Sequence, residues 1–368
     1  MSNINMAEMF CDDEIQNSVA SVLKSGNYIK GENNREFERE FADFCNVKHS
    51  VAVNSGTNAL ILALKCLGLK PGDEVIVPSH TFIATANAVI FCGGTPVFAD
   101  ITPENMTIDA EDVRNKVTSK TKAIIPVHIY GHPCNMEALK ETADDKGLYI
   151  IEDACQAHGA EYKGKMTGSI GDIAAFSFFP SKNMTVCGDG GALTTNNDEL
   201  SKIACALRDQ GRKEGEKYYH DYPGLNLRLS EVHAAVGRVQ LKHLSHWNRM
   251  RRENAAYYNT IFENAGCAVV TKEAEWAKAV YHQYVIRVKS REKLQKYLKD
   301  AGIATGIHYP LPVHHQPAMK GFATPVKLPV TESVAEKILS IPVHPFLKKE
   351  EREYIADKIQ SFYNKKTI

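Results

Sequence analysis

The sequence lacks the features that mark several large classes of protein. No apolar run approaches the roughly 20 residues that a membrane-spanning helix needs. Residues 1–16 contain no basic stretch followed by an apolar stretch, so we expect no secretory signal peptide. The nine cysteines form no CxxC pair and no spacing typical of a zinc site. Their odd number and their scatter indicate reduced thiols, and we therefore expect a cytoplasmic protein.

The chain also lacks an excess of charge of either sign. Lys and Arg total 44 and Asp and Glu total 44 among 368 residues. This balance gives no reason to expect a nucleic acid or an anionic membrane as a partner, although a small anionic ligand needs only a local site. Apolar residues make up 43% and charged residues 24%, as in ordinary globular enzymes. The length is sufficient for two domains with sizeable cores.

Short β-branched runs alternate with helical segments from residue 50 to about residue 200. The runs are SVAVN, DEVIVPS, TPVFADI, KAIIPVHI, LYIIED, DIAAFSF and GALTTN. Apolar runs joined by helices predict an α/β fold, with a mostly parallel central sheet and helices on both faces. A long helical region follows, and the chain from about residue 268 indicates a smaller α+β domain. We predict a large domain over residues 1–250, including a helical lead-in, and a small C-terminal domain over residues 251–368.

A first polar cluster follows the strand in VAVNSGTNAL. The strand ends at Asn54, Gly56 allows a close backbone approach, and a helix begins near Thr57. Ligands of open α/β sheets bind outside the carboxyl ends of the strands. Free N–H groups and the helix dipole would make this a phosphate site. Because Asn, Ser and Thr also cap helices routinely, the cluster taken alone is better explained as a helix cap.

A second cluster lies in YIIEDACQAHGA, where an apolar run ends in Glu152 and Asp153. A carboxylate at a buried strand end is costly unless it meets a cation or hydrogen-bond donors. One interpretation is a structural acid that caps the next turn. The other is a carboxylate that pairs with a cationic ring nitrogen. His158 in the same segment is more typical of a structural histidine than of a catalytic one.

A third cluster is AFSFFPSKNMTVCGDGGALTTN, which contains Lys182 followed by a Gly-rich turn at residues 188–191. A lysine in a closed pocket has a lowered pKa and can form a Schiff base, although a lone lysine usually lies on the surface. A phosphate site, a strand-end aspartate and a later lysine together are the three parts of a pyridoxal phosphate (PLP) site. Phe82, after another strand, could stack on a planar ring or belong to the core.

Six segments, in this order, resemble the nucleotide-sugar aminotransferases, the DegT/StrS group of fold-type-I PLP enzymes. They are SGTNAL, PSHTFIATANAV, GGTPVFADI, IEDACQAHGA, FSFFPSKNMTVCGDGGALTTN and GLNLRLSEVHAAVGRVQL. The resemblance runs from about residue 10 to about residue 360, and the long motif around Lys182 is highly specific. Two departures are visible: Leu227 stands where an aromatic residue is common, and Cys187 precedes the Gly-rich turn.

The resemblance implies a fold-type-I aminotransferase fold, PLP as cofactor, and a role for each matching residue. Lys182 would bind PLP as a Schiff base, and Asp153 would pair with the pyridine nitrogen. Gln156 would lie near the phenolic oxygen, and Phe82 would stack on the ring. The phosphate would be held by Gly56, Thr57 and Ser177. In this family the asparagine matching Asn226 reaches the cofactor phosphate of the neighbouring subunit, so a homodimer with shared active sites is expected.

The reaction implied is transfer of an amino group from L-glutamate to a keto nucleotide-sugar, which gives an amino sugar. Residues 305–318, TGIHYPLPVHHQPA, resemble the loop of members that aminate carbon 3, with His308 and Tyr309 facing the sugar. Amination at carbon 4 is the alternative, and the loop could also serve only for packing.

Three further alternatives have less support in the sequence. A dehydratase of the same fold carries a histidine in place of Lys182. A non-catalytic regulator of the same fold would not need Lys182, Asp153 and Gln156 together. The absence of GxGxxG after the first strand argues against a nicotinamide oxidoreductase.

Overall fold

A seven-stranded sheet forms the centre of the computed structural model, which describes residues 3–364. In spatial order the strands are β1 (His49–Val53), β9 (Gly191–Thr195), β8 (Ile173–Ser177), β5 (Tyr149–Asp153), β4 (Thr121–Ile124), β2 (Glu74–Pro78) and β3 (Thr95–Ala99). Each strand coincides with one of the apolar runs in the sequence. The prediction of an α/β fold is therefore confirmed.

Strand β9 is the exception to the parallel arrangement, because it runs antiparallel to both β1 and β8. The other neighbouring pairs of this sheet are parallel. Residues 178–190, which connect β8 to β9, contain no helix, so the chain turns back directly beside β8. The first residue of β9, Gly191, lies opposite Val53 and Ser177. The Gly-rich turn therefore lies at the carboxyl edge of the sheet.

Helices cover both faces of the central sheet. They are α1 (Asp13–Ser25), α2 (Glu32–Cys45), α3 (Gly56–Cys66), α4 (Ala84–Phe91), α5 (Ala110–Lys116), α6 (Met136–Lys146), α7 (Asp198–Arg208) and α8 (Glu231–Ala265). Alternate residues of β1 show the two faces: Val51 and Val53 pack in a cluster with Leu60 of α3, whereas Ala52 packs in another with Phe37 of α2.

The C-terminal part contains a second, antiparallel sheet. Its strands are β10 (Val269–Val270), β12 (Tyr284–Arg287) and β13 (Ile338–Ile341), and its helices are α9 (Arg291–Asp300), α10 (Pro329–Ala335) and α11 (Lys349–Asn364). A small third sheet joins β11 (Ala277–Lys278) to β6 (Glu161–Tyr162) and β7 (Lys165–Met166). Helix α8 runs without a break through residue 250, and the division into residues 1–250 and 251–368 stays a prediction. No helix within residues 3–364 is long and apolar enough to cross a membrane.

Strand β5 ends in two acidic residues whose environments differ completely. Glu152 is fully buried and accepts hydrogen bonds from the backbone N–H groups of Gly168, Ile170 and Gly171 at 2.8–2.9 Å. His128 Nε2 donates to the same carboxylate at 2.9 Å. Burial acts to raise the pKa of Glu152, but His128 and the backbone donors outweigh it and hold the pKa below its ordinary value. Glu152 is therefore a structural acid.

We expect Glu152→Ala to lower the free energy of unfolding by about 3 kcal/mol, because it leaves several buried N–H groups without an acceptor. The measurement is urea denaturation followed by circular dichroism. The difference from the unsubstituted protein should shrink below about pH 4, where the ordinary carboxyl of the unfolded chain becomes protonated. Glu137→Ala, which removes an exposed pair with Lys163, should change the stability little. Equal effects of the two substitutions would contradict the structural role of Glu152.

Candidate active site

A cavity of about 380 Å³ opens at the carboxyl edge of the central sheet. Every predicted site residue except Asn226 lines it. These residues are Gly56, Thr57, Phe82, Asp153, Gln156, Ser177, Lys182, His308 and Tyr309. Other lining residues, which the sequence did not single out, include Thr81, Thr85, Cys155, His282 and Gln283. The cavity lies where the ends of strands β1, β5 and β8 meet the loop before β13. This is the expected position for a ligand site of an open α/β sheet.

The N-terminus of α3 forms one corner of the cavity. The side chain of Ser55 accepts a hydrogen bond from the N–H of Asn58 at 3.1 Å and caps the helix. Within residues 3–364, no hydrogen bond engages the N–H groups of Gly56 and Thr57. A Cβ on Gly56 would lie 2.6 Å from Ser177 Cβ, so only glycine fits. Ser55 therefore caps the helix, and the N–H groups of Gly56 and Thr57 are still available to bind an anion.

Asp153 lies at the base of the cavity with 5% of its surface exposed. Thr85 Oγ1 donates to one carboxylate oxygen at 2.8 Å, and the N–H of Cys155 donates to the other at 3.2 Å. Thr81 lies 3.0 Å from Thr85, oxygen to oxygen. Two donors do not saturate a carboxylate, so a cation in the cavity would complete its partners. Thr85 is not among the predicted site residues, although its position three residues after Phe82, in the first turn of α4, is a signal that the sequence contains.

Lys182 supplies the amine of the cavity. It is half-buried, and within the described residues its side chain has no hydrogen bond or ion pair. Burial lowers the pKa of Lys182, while Cys155 and Asp153 act to raise it. A lysine with a lowered pKa has a larger neutral fraction, which is the form that attacks a carbonyl carbon.

Three histidines near Lys182 have pKa values below the ordinary value of an imidazole. Burial lowers the pKa of His158, His282 and His308, and the charge of Lys182 lowers each further. His158, with a pKa of about 3, lies between the rings of Phe176 and Phe178 and does not line the cavity. It is therefore a structural histidine, in line with the more common role of an isolated histidine.

Tyr130 connects the cavity floor to the loop that carries His308 and Tyr309. Its backbone N–H donates to Gln156 Oε1 at 2.8 Å, and its hydroxyl donates to the carbonyl of His308. His80 Nε2 lies 2.6 Å from the same hydroxyl. Gln156 Nε2 in turn donates to the hydroxyl of Tyr309 at 3.4 Å. No local pattern in the sequence identifies Tyr130, because its partners are distant along the chain.

Phe82 is not a core residue. Its side chain is 54% exposed, and its ring centroid lies 5.8 Å from that of Tyr309. An exposed aromatic ring at the wall of a cavity is available to stack on a ligand. The core alternative for Phe82 is thereby removed.

The glycines of the Gly-rich turn are packed closely against the rest of the protein, and Gly191 meets backbone atoms. A Cβ on Gly191 would lie 2.5 Å from the carbonyl carbon of Ser55 and 2.7 Å from the carbonyl oxygen of Phe176. Asp189 and Gly190 line the cavity. Glycine is therefore needed where β9 enters between β1 and β8, directly behind the helix terminus at Gly56.

Asn226 lies outside the cavity of its own chain. It is exposed and forms an isolated antiparallel bridge with Asp209. Its expected position on the cofactor phosphate of a neighbouring subunit stays a prediction.

The residues present fit PLP. The cavity offers free backbone N–H groups and Ser177 for a phosphate, the buried carboxylate of Asp153 for a cationic ring nitrogen, and the unpaired amine of Lys182 for an aldehyde. The exposed face of Phe82 suits a planar ring.

The chain matches the DegT/DnrJ/EryC1/StrS aminotransferase family over residues 10–360. A pleiotropic regulatory protein of Geobacillus stearothermophilus is 43% identical over 95% of this chain and 94% of its own length. The dTDP-3-amino-3,4,6-trideoxy-alpha-D-glucose transaminase of Streptomyces venezuelae is also 43% identical, over 95% of this chain and 92% of its own length.

Solved structures support the same assignment. The crystal structure of DesV from S. venezuelae superposes with a TM-score of 0.94 at 41% identity, over 98% of this chain and 99% of that chain. A putative sugar aminotransferase of Streptococcus pneumoniae in its PLP form has a TM-score of 0.93 at 28% identity, over 99% of both chains. With nearly the whole chain covered by these matches, this protein is a PLP-dependent enzyme of the DegT/DnrJ/EryC1/StrS aminotransferase family.

Proposed function

We propose that this enzyme transfers the amino group of L-glutamate to carbon 3 of a keto nucleotide-sugar, giving an amino sugar. The observation that carries the proposal is the meeting of an unpaired Lys182 amine and a buried Asp153 carboxylate in one cavity. The expected cytoplasmic location is part of the same proposal.

Two observations support carbon 3. The S. venezuelae relative is named as the transaminase of a 3-amino sugar. Residues 305–318 resemble the loop of carbon-3 members, and this loop places His308 and Tyr309 on the cavity wall. Carbon 4 remains the alternative, and the product decides between them.

Asp153 and the start of α3 would orient the cofactor. PLP supplies an aldehyde that condenses with amines and a pyridinium ring that withdraws electrons from the attached carbon. Asp153 Oδ, fixed by Thr85, would stabilise the proton on the ring nitrogen. The phosphate would accept from the N–H groups at Gly56 and Thr57 and from Ser177, and Asn226 of the partner subunit would complete this site. Phe82 and Gln156 would contact the ring face and the phenolic oxygen.

Lys182 would act twice. Its Nζ would first hold the aldehyde of the cofactor until the amino donor enters the cavity. The free Nζ, whose lowered pKa increases its neutral fraction, would then accept a proton from the α-carbon of the donor. In the second half-reaction the same amine would move a proton in the opposite direction and deliver it to the sugar carbon that receives the amino group. His308 and Tyr309 would contact the sugar during this second half.

The alternative functions agree less well with the residues of the cavity. A dehydratase of this fold needs a histidine where the chain has Lys182. The regulatory name of the Geobacillus relative describes that protein. A binding-only protein would not need Lys182, Asp153 and Gln156 together in one cavity.

The substrate position is tested with ¹⁵N-labelled L-glutamate and a panel of 3-keto and 4-keto nucleotide-sugars. We expect ¹⁵N on carbon 3 of the product, located by ¹⁵N–¹³C correlation in NMR spectra. Lys182→Ala should give no labelled sugar because it has no amine to move the proton. Label on carbon 4 would refute the carbon-3 assignment, and no transfer to any keto sugar would refute the proposed function.

Asp153→Asn should lower kcat by about 100-fold or more while PLP still binds, because an amide cannot stabilise the protonated ring as a carboxylate does. Steady-state kinetics give the rate, and the absorbance of the bound cofactor reports occupancy. Asp198→Asn, on an exposed carboxylate of α7, is the matched control and should keep the normal rate. A near-normal rate for Asp153→Asn with PLP bound would show that Asp153 is only structural.

A shared active site predicts that two inactive variants restore each other. Lys182→Ala removes the amine, and Asn226→Asp places a negative charge beside the partner's phosphate, which repels it. Random exchange of chains makes half of the dimers mixed, each with one intact site, so about one quarter of wild-type activity should return.

The control for this experiment mixes Lys182→Ala with the double variant that carries both substitutions, in which no site is intact. Mass-tagged chains verify the exchange. If the first mixture stays as inactive as the control after verified exchange, the site does not span two subunits.

A further inference from the structure

A second cluster of chemically active side chains lies outside the cavity. His314 and His315 belong to the 3₁₀ turn Val313–His315, and Glu332 lies in α10. His314 Nε2 lies 3.3 Å and His315 Nε2 3.7 Å from Glu332 Oε1. One ligand atom from each of the three residues lies within 4.8 Å of the others. None of the three lines the active-site cavity.

His314 Nε2 and Glu332 Oε1 are within hydrogen-bond reach at 3.3 Å, and both separations are also close to the spacing of ligands around zinc. Tetrahedral Zn²⁺ with bonds of about 2.0–2.2 Å holds its donor atoms about 3.3–3.6 Å apart. A charge-assisted hydrogen bond between an imidazole and a carboxylate would instead be about 2.7–2.9 Å long. Two imidazoles and one carboxylate form a common zinc ligand set, with the fourth position open to water.

The surroundings of His314 hold its ring in the orientation that a metal ligand needs. Its side chain is only 4% exposed, and its Nδ1 lies 2.6 Å from Ser79 Oγ. A proton on Nδ1, donated to Ser79, leaves the lone pair of Nε2 directed towards Glu332. Glu332 Oε1 is itself fixed by the N–H of Leu328 at 3.0 Å. Outer-sphere contacts of this kind typically accompany metal ligands.

We propose that His314, His315 and Glu332 bind one Zn²⁺ ion. The ion would join the loop of residues 305–318 to α10. The first turn of α10 is itself attached to Asp100, because the N–H groups of Val330 and Thr331 donate to its carboxylate. The same loop carries His308 and Tyr309, so Zn²⁺ would fasten one wall of the active site at a second point. Although a site of three residues leaves the fourth position to water, the ion would take no part in the amino transfer, because the site lies outside the cavity. The proposal does not depend on the substrate of the enzyme.

The test is calorimetric titration of the chelator-treated, PLP-loaded enzyme with Zn²⁺. Exposed thiols are alkylated first, because free cysteines also bind zinc. We expect one Zn²⁺ per chain and a rise of at least about 2 °C in the thermal unfolding midpoint. His315→Ala and Glu332→Gln should each weaken binding by at least about tenfold and abolish the shift. Ser79→Ala should weaken Zn²⁺ binding less, because Ser79 contacts the ring of His314 and not the ion.

His246→Ala, which removes an exposed histidine of α8 that contacts Arg249, is the matched control and should bind Zn²⁺ normally. Mg²⁺ should produce no shift, because it prefers oxygen ligands. Circular dichroism verifies that each variant is folded. The proposal is overturned if the unsubstituted enzyme binds no stoichiometric Zn²⁺, or if His315→Ala and Glu332→Gln both bind it with unchanged affinity.

Discussion

The active site depends on the insertion of one antiparallel strand between two parallel ones. Because β9 runs against β1 and β8, its first residue lies at the edge where their carboxyl ends lie. Gly191 is then so close to the backbone of Ser55 and Phe176 that no side chain fits. This packing fixes Ser55 and the N-terminus of α3 beside Ser177, so strand pairing rather than a flexible loop forms the corner where we propose that the phosphate binds.

A second constraint is the burial of charge at the end of β5. Neighbouring residues of a strand face opposite sides, so Glu152 and Asp153 enter different environments. Glu152 receives backbone donors and His128, which satisfy it permanently. Within residues 3–364, Asp153 receives only Thr85 and the N–H of Cys155, and it faces a cavity in which the side chain of Lys182 has no hydrogen bond or ion pair. The same chemical group is thus structural at one position and available for a ligand at the next.

The loop that carries His308 and Tyr309 is fastened to the central sheet at several points. Tyr130 donates to His308, and the N–H groups of Val313 and His314 donate to Ser79 at the end of β2. A rigid attachment of this kind places His308 and Tyr309 accurately relative to Lys182 in the cavity, as a site that positions reacting groups requires. The proposed zinc site would extend the attachment to α10.

The sequence by itself determined the strands of the central sheet, the polar residues at their ends and Lys182, because apolar runs and strand-end motifs are local patterns. Only the tertiary structure decided the direction of β9, the hydrogen bond from Thr85 to Asp153 across 68 positions and the contact of Tyr130 with His308 across 178 positions. The tertiary structure also showed that Glu152 is structural whereas Asp153 faces the cavity, and that Asn226 lies outside the cavity of its own chain. The physical reason is that strand direction, burial and hydrogen-bond partners depend on packing between distant segments, which periodicity and spacing along the chain do not specify.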